Sequence, residues 1–166
     1  RFMTIEMYGR VWPEGSSRLQ IELTCYRYAD KWGLDKLKHC KAAFSLLYPD
    51  LRSTYFSWTE WILKGLCEES KTGTGFLSIL GASGTGKSLT VGYWAVLDWL
   101  ADPENTITLA SSTTIADLNN RIWKYIRKSY QGLGYNVGKL RLSKPEAVLS
   151  DTLQGGIYAI ALNNDP

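Results

Sequence analysis

The spacing of apolar residues predicts helices in the first half of the chain. After Asp35, apolar residues recur at the spacing of one helix face: Leu37, Cys40, Phe44 and Leu47. Asp35 can cap this helix, and Pro49 stops the pattern. A further helix is predicted over residues 58–69, WTEWILKGLCEE.

The segment LQIELTCY, residues 19–26, admits two interpretations. Its alternation of apolar and polar residues is typical of a strand, which would form a hairpin with TIEMYGRV across the turn residues PEGSS. Alternatively, Ser16 and Ser17 precede a capped helix with Leu19, Leu23 and Tyr26 on one face. The helix is favoured, so residues 1–75 are predicted to form a mainly helical accessory region.

From residue 76 onwards the pattern changes to alternating strands and helices. Apolar runs predict strands at FLSIL (76–80), TITLA (106–110) and GIYAIAL (156–162), with helices at 89–101 and at about 115–130. A connection rich in glycine and basic residues precedes the last strand. This succession favours an α/β fold built on a parallel sheet with flanking helices.

Composition adds few constraints. Of 166 residues, 45% are hydrophobic and 21% are charged, as in an ordinary soluble domain. No apolar run approaches the roughly 18–20 residues that a membrane span needs. The three cysteines lack a CxxC pairing, which favours reduced thiols over a zinc site. The net charge is only +3, but seven basic residues and no acidic one lie between Arg121 and Lys144.

The stretch GASGTGKS, Gly81 to Ser88, matches the phosphate-loop pattern GxxxxGK[ST] in full. Glycines let the backbone curl so that N–H groups face phosphate oxygens, and the following helix adds its positive end. Lys87 would contact the β- and γ-phosphates, and the Ser88 hydroxyl would bind Mg²⁺. The predicted phosphate contacts are Gly81, Ala82, Ser83, Gly84, Thr85, Gly86, Lys87 and Ser88.

Hydrolysis needs an acidic element as well, expected after a second apolar strand. GIYAIAL is followed by Asn163, Asn164 and Asp165, with no carboxylate directly at its end. Asp98 and Asp117 fall on predicted helices, and Asp151 follows no convincing strand. We therefore expect this acid beyond residue 166 and expect the chain, which does not begin with Met, to be part of a longer protein.

The predicted helix at 115–130 is amphipathic. Ile115, Leu118, Ile122 and Ile126 share one face, and Arg121, Lys124 and Lys128 share the opposite face. The basic face is either an ordinary solvated surface or a contact for a nucleic-acid backbone, since the basic run continues to Lys144.

Several of these segments together resemble the ATPase region of bacteriophage terminase large subunits, the motors that package DNA into procapsids. They are the loop, the apolar helix ending in WLADPENT, the strand followed by SSTT, and the RIW motif. The resemblance is densest over about residues 76–130 and weaker upstream, in HCKAAFSLLYP and WTEW. It implies an ASCE-type P-loop ATPase, with residues 76–166 as the N-terminal part of an incomplete core.

The resemblance also implies ligands and partners. These are ATP, Mg²⁺, double-stranded DNA, the portal, the small terminase subunit and further copies in a ring, on a procapsid in the cytoplasm of an infected bacterium. No membrane and no nuclease domain are expected. The residues expected to contact DNA or to couple to it are Ser111, Ser112, Thr113, Thr114, Lys124 and Lys128.

Two further roles are weaker. Arg121 would supply charge to the ATP of a neighbouring subunit, although a salt bridge to Asp117 explains it as well. Trp58 would stack on adenine, although at its spacing from Trp61 it is more often ordinary core.

Other functions use the same loop. A helicase-like ATPase would share the core and the SSTT segment. A small-molecule kinase is disfavoured, because half of the chain precedes the loop and no arginine-rich lid follows it. A non-enzymatic nucleotide-binding fragment is a further alternative.

Overall fold

The computed structural model describes residues 4–70 and 75–162, except for the side chains of residues 52–54. These residues form a mixed α/β structure. Its elements are β1 (Thr4–Met7), β2 (Arg10–Pro13), α1 (Arg18–Arg27), α2 (Ala29–Trp32), α3 (Lys36–Leu47), a 3-10 turn (Pro49–Thr54), α4 (Ser57–Glu69), α5 (Lys87–Ala101), β3 (Ile107–Ser112), α6 (Ile115–Leu118), a π turn (Asn119–Trp123), α7 (Lys124–Gln131), β4 (Lys139–Arg141), β5 (Ala147–Leu149) and β6 (Gly156–Ala161).

The favoured helix at residues 19–26 is confirmed. Ser17 caps α1 by accepting a hydrogen bond from the Gln20 backbone N–H, and the Gln20 side chain accepts one from the Ser17 N–H. The strand alternative is wrong, because β1 pairs with β2 instead. Their two-residue turn is formed by Tyr8 and Gly9, both at positive φ, as the tightest hairpins require.

The helices predicted on either side of Pro49 are also confirmed. The Asp35 carboxylate caps α3 by accepting from the Lys38 N–H at 3.2 Å. Pro49 begins the 3-10 turn that follows α3, and α4 covers the predicted WTEW segment. Lys41 of α3 and Glu60 of α4 form an ion pair at 3.0 Å that joins the two helices.

A buried carboxylate joins the N-terminal hairpin to α1 and α3. Glu22 is fully buried, and its oxygens accept from Tyr8 Oη at 2.7 Å, Arg18 Nε at 2.6 Å and His39 Nδ1 at 2.7 Å. Burial alone would raise the pKa of Glu22, but the three hydrogen bonds together lower it below the ordinary glutamate value. The ionised form of Glu22 therefore stabilises the packing of these elements.

The main sheet has the strand order β3-β6-β5-β4. Strands β3 and β6 are parallel, but β5 runs antiparallel to both β6 and β4. The prediction of a parallel sheet is therefore only partly right. The antiparallel strands β4 and β5 have three residues each, too few for a visible period, and lie within the glycine-rich basic connection.

The strand predicted at residues 76–80, directly before the loop, is wrong. This segment belongs to neither sheet, and Phe76 and Leu80 are 86% and 91% exposed. Leu77 instead packs on α4 at Gly65, where an added Cβ would lie 3.0 Å from Leu77 Cδ1. Residues 76–80 are apolar enough for a strand, but Leu77 packs on α4 instead of joining a sheet.

The direction of α5 places its N-terminus at one edge of the sheet. A short turn connects the end of α5 to the start of β3, and α5 packs on β3 and β6. Helix α5 therefore runs antiparallel to β3. Its first residues therefore lie at the carboxyl ends of β3 and β6. Helix α6 begins directly after β3, at this same edge.

Asp151 does follow a strand, contrary to the sequence prediction, because it comes two residues after β5. It lies at the other edge of the sheet, however. The adjacent Thr152 hydroxyl donates to Glu104, and the Gly156 N–H donates to the Thr106 carbonyl before β3. Asp151 is therefore at the end of the sheet away from the loop Gly81–Ser88.

One hydrophobic cluster includes residues of α1, α3, α4, α5, α7 and the main sheet. Trp99 and Trp123 are its largest fully buried side chains. Cys25, Cys40 and Cys67 are buried and free. In residues 4–70 and 75–162, no helix is both long and apolar enough to cross a bilayer.

We expect Glu22→Gln to destabilise the fold by about 2 kcal/mol near neutral pH, because the variant loses charge-assisted hydrogen bonds. The lowered pKa of Glu22 means that its contribution is complete above the unfolded-state pKa and is lost as pH falls through the folded-state pKa. The difference between wild type and variant should therefore shrink in acid.

Urea unfolding of both proteins at pH 7 and in acid measures this difference. Asp98 is half-buried and its pKa is raised by desolvation, but it is present in both proteins, so its effect on the difference cancels. Glu68→Gln, in an exposed ion pair with Lys64, is the control and should change stability by less than about 1 kcal/mol. A difference that stays constant with pH would contradict the role given to the Glu22 charge.

Candidate functional site

Two glycines give the loop Gly81–Ser88 its shape. Gly84 and Gly86 have φ values of 80° and 81°, in the left-handed region that other residues rarely adopt. Gly86 occupies the position before the first turn of α5, and its carbonyl accepts from the Thr90 N–H at 2.9 Å and from Thr90 Oγ1 at 3.0 Å. The chain can therefore turn sharply out of the loop into a fifteen-residue helix.

The Lys87 ammonium group lies inside the curve of the loop. Its Nζ donates to the Gly81 carbonyl at 2.7 Å, to the Ala82 carbonyl, and to Thr85 Oγ1 at 3.2 Å. Thr85 Oγ1 in turn donates to the Ala82 carbonyl at 2.9 Å. The loop thus surrounds a positive charge at the N-terminus of α5, where the helix dipole also favours an anion.

Helix α4 is attached to the loop through Trp58. The Trp58 Nε1–H donates to the Thr85 carbonyl at 2.7 Å, and its ring stacks on Phe56 with centroids 4.3 Å apart. Trp61, one turn later, is 75% exposed. The two tryptophans therefore differ: Trp58 supports the loop, whereas the Trp61 ring is mostly in solvent.

A cavity of about 650 Å³ opens in front of the loop. This volume lies within the usual range for small-molecule sites. One wall comes from the loop and the start of α5, a second from the helical N-terminal region and a third from the π turn and α7. The residues that line this cavity include Tyr55, Phe56, Ser83, Gly84, Thr85, Gly86, Lys87, Ser88, Asn120, Arg121, Lys124 and Tyr125.

The loop also borders a second cavity, of about 350 Å³, on the side of α4. Gly81, Thr85 and Lys87 line it together with Trp58 and Trp61. Of the predicted phosphate contacts, residues 83–88 thus face the larger cavity and Gly81 faces the smaller one. Ala82 contacts Lys87 through its carbonyl.

The basic residues predicted on one helix face separate in the structure. Arg121 and Lys124 line the larger cavity with the loop of the same chain, whereas Lys128, one turn further on, is exposed outside it. The alternative of an Arg121–Asp117 salt bridge is not seen. The Asp117 carboxylate instead accepts from the Thr113 hydroxyl at 3.5 Å, and the Asp117 N–H donates to Thr114 Oγ1 at 3.1 Å.

The SSTT segment lies at the loop's edge of the sheet but does not line the cavity. Ser111 and Ser112 end β3, and Thr114 caps α6. Ser111, Thr113 and Thr114 are exposed. This segment is therefore accessible to a partner that approaches the carboxyl edge of the sheet.

The described residues place no acidic side chain in the larger cavity. They also hold no group of three His, Cys, Asp or Glu residues that could bind a metal ion. Residues 163–165, considered above for the acidic element, lie outside the described residues. A divalent cation would therefore fit here only as an ion carried by a phosphate ligand, with the Ser88 hydroxyl as a protein ligand.

Comparison with protein-family models, with curated proteins and with solved structures finds no match to this chain. The geometry of the site therefore carries the functional argument.

Sequence reasoning did not include several residues of this site. Asn120, Tyr55 and Tyr125 line the larger cavity, yet no motif contains them. The Tyr55 hydroxyl is buried and makes no hydrogen bond within the described part of the chain. Asn120 lies in the π turn, four residues before Lys124, and helical spacing alone does not predict such a turn.

We expect Trp58→Phe to loosen the loop while the fold remains intact. The variant keeps an aromatic ring for Phe56 but loses the hydrogen bond to Thr85, which is worth about 1 kcal/mol. Amide hydrogen exchange at residues 83–86 should accelerate roughly 5-fold. Trp61→Phe, at the exposed neighbour, is the matched control; equal exchange in the two variants would show that Trp58 does not hold the loop.

Proposed function

We propose that this chain is the ATP-binding portion of a viral DNA-packaging motor of the terminase large-subunit type, with an ASCE-type P-loop fold. The observation that carries the proposal is the loop Gly81–Ser88, which curves around Lys87 at the N-terminus of α5 and opens onto a cavity of about 650 Å³. In the intact motor, ATP hydrolysis would drive double-stranded DNA into a procapsid in an infected bacterial cell. The portal, a small terminase subunit and further copies of the chain would be its partners.

The loop suits a nucleotide phosphate chain. Its left-handed glycines allow backbone N–H groups to face phosphate oxygens, and Lys87 would exchange its contacts with the loop carbonyls for contacts with the β- and γ-phosphates. The Ser88 hydroxyl would bind Mg²⁺, which usually takes one or two protein ligands together with phosphate oxygens.

The aromatic part of the cavity lining suits a base. Aromatic side chains of Tyr55, Phe56 and Tyr125 line it, and the Tyr55 hydroxyl has no hydrogen-bond partner among the described residues. Rings offer stacking surface to a planar heterocycle. Trp58, by contrast, uses its indole N–H on the loop, so it would act on the nucleotide through Thr85.

Turnover would be slow in the described part of the chain. Phosphoryl transfer to water uses a carboxylate that orients or activates the water, and no acidic side chain among the described residues lines the cavity. The proposed activity of these residues is therefore ATP binding, with efficient hydrolysis dependent on an acid supplied from elsewhere in the motor.

The DNA contact would lie beside this cavity. Lys128 is exposed and forms no ion pair within the described residues, and the exposed SSTT segment lies at the same sheet edge as the loop. Arg127, in contrast, is paired with Glu146. A phosphate backbone would offer Lys128 a counter-charge.

We expect Lys87→Ala to weaken Mg²⁺-ATP binding roughly 10- to 100-fold, because charge-assisted hydrogen bonds to phosphate are lost. Isothermal titration calorimetry measures the affinity. Lys64→Ala, at an exposed lysine of α4, is the control and should bind like wild type. Unchanged affinity in Lys87→Ala would contradict the assignment of the loop.

We expect Lys128→Ala to weaken binding of duplex DNA and to reduce the slope of log K against log salt by about 1. Fluorescence anisotropy with a labelled duplex measures both, again with Lys64→Ala as the control. Tighter binding of single-stranded than of double-stranded DNA would favour the helicase-like alternative. If the slope of log K against log salt were equal to that of wild type, Lys128 would not contact the DNA backbone.

A further inference from the structure

We propose that Asn120, Arg121 and Lys124 form a second phosphate-binding wall that contacts the terminal phosphate of the nucleotide bound by the same chain. The inference rests on the proposed function and assigns these residues a different role. Arg121 would then serve the chain's own ATP instead of a neighbour's, and Lys124 would bind nucleotide instead of DNA. The three residues are called the phosphate wall below.

The first observation is that the phosphate wall and the loop face one cavity. Asn120, Arg121 and Lys124 line it together with Ser83–Ser88. A ligand held by the loop therefore has these side chains on its other side, within a single chain.

The second observation is the π turn at Asn119–Trp123, which orients the wall. In a π turn the backbone hydrogen bonds join residues five apart, so such residues lie closer to one side than they do in an α-helix. Leu118 and Trp123 have this separation, and they are 1% and 0% exposed. In a regular α-helix their side chains would point in different directions. With both turned into the core, Asn120 and Arg121 are turned towards the cavity.

The third observation is the close approach of α5 to the helix that carries the wall. A Cβ added at Gly92 would lie 2.9 Å from Tyr125 Cβ and 3.3 Å from the Ile122 carbonyl oxygen. Gly92 lies one turn after Ser88, on the same side of α5. Ile122 and Tyr125 are the residues that directly follow Arg121 and Lys124. This contact therefore holds the wall beside the start of α5.

The fourth observation concerns charge. Arg121 and Lys124 form no ion pair within the described residues; Lys124 lies over the Tyr125 ring, 4.9 Å from its centroid. Together with Lys87, they give the cavity three cationic side chains, and no described carboxylate lines it. Such a site favours the ligand with the most negative charge, and ATP carries one phosphate more than ADP. Asn120 would add an amide donor to the same oxygens.

Binding of Mg²⁺-ATP, Mg²⁺-ADP and tripolyphosphate to the full chain tests the proposal. Arg121→Ala should weaken ATP and tripolyphosphate binding roughly 10- to 100-fold, and ADP binding less than roughly 3-fold. Lys124→Ala should also weaken binding of ATP and tripolyphosphate more than binding of ADP, but by a smaller factor than Arg121→Ala. Both side chains are exposed, so the fold should survive, which a thermal melt checks. Lys64→Ala is the control.

Three results would overturn the proposal. In the first, Arg121→Ala weakens ATP and ADP binding equally or not at all, while Lys87→Ala still weakens ATP binding as expected; the phosphate wall is then wrong and the proposed function stands. In the second, ATP affinity rises with protein concentration and a mixture of Arg121→Ala and Lys87→Ala chains recovers binding; Arg121 then serves a neighbouring chain. In the third, wild type binds neither ATP nor tripolyphosphate, which overturns the proposed function as well.

Discussion

The candidate site depends on one close contact, between α5 and the helix that follows β3. At Gly92 there is no room for a side chain, since even a Cβ would lie 2.9 Å from Tyr125 Cβ. Glycine in a helix interior costs roughly 0.5–1 kcal/mol relative to alanine, so this position needs a compensating gain. The gain is close packing between the helix that begins at the loop and the helix that carries Arg121 and Lys124. A larger residue at position 92 would move the start of α5 away from the helix that carries Arg121 and Lys124.

This contact has an electrostatic consequence. Three cationic side chains, Lys87, Arg121 and Lys124, face one cavity in which no described acidic residue neutralises them. Gathering like charges is unfavourable unless solvent or a ligand offsets the repulsion. Two other arginines are paired with carboxylates: Arg127 binds Glu146, and Arg18 binds Glu22. Lys87, Arg121 and Lys124, in contrast, gather without a described carboxylate partner at the place where the loop already favours an anion.

The sequence was a good guide where local rules dominate. The caps at Ser17 and Asp35 and the motif Gly81–Ser88 act through their own neighbours, and the structure has the predicted helices beside them. It was a poor guide where tertiary packing decides. The run at 76–80 has the composition of a strand, but its Leu77 packs on α4. The strands β4 and β5 owe their pairing to β6, since three residues carry no period of their own.

For the candidate site, the same division holds. The phosphate loop could be read from spacing alone, because its chemistry requires those residue types in that order. The role of Arg121 and Lys124 could not be read in this way, because a regular helical wheel places Arg121, Lys124 and Lys128 on one face. Lys124 and Lys128 share a face of α7, so the distance along the helix decides which side chains line the cavity: Arg121 and Lys124 reach it, and Lys128, one turn further on, does not.

The N-terminal helices belong to the site as well as to the fold. The described residues that lead into the loop, 75–80, belong to neither sheet, so the position of the loop is set by α5 behind it and by α4 beside it, through the Trp58–Thr85 hydrogen bond. Tyr55 and Phe56, just before α4, line the same cavity as Lys87. A ligand in that cavity would therefore contact the N-terminal region and the phosphate loop together. If a ligand alters the packing of α4 on α5, a partner that moves α4 must change the affinity for that ligand by the same free energy. The Trp58–Thr85 hydrogen bond is the contact through which such coupling would pass.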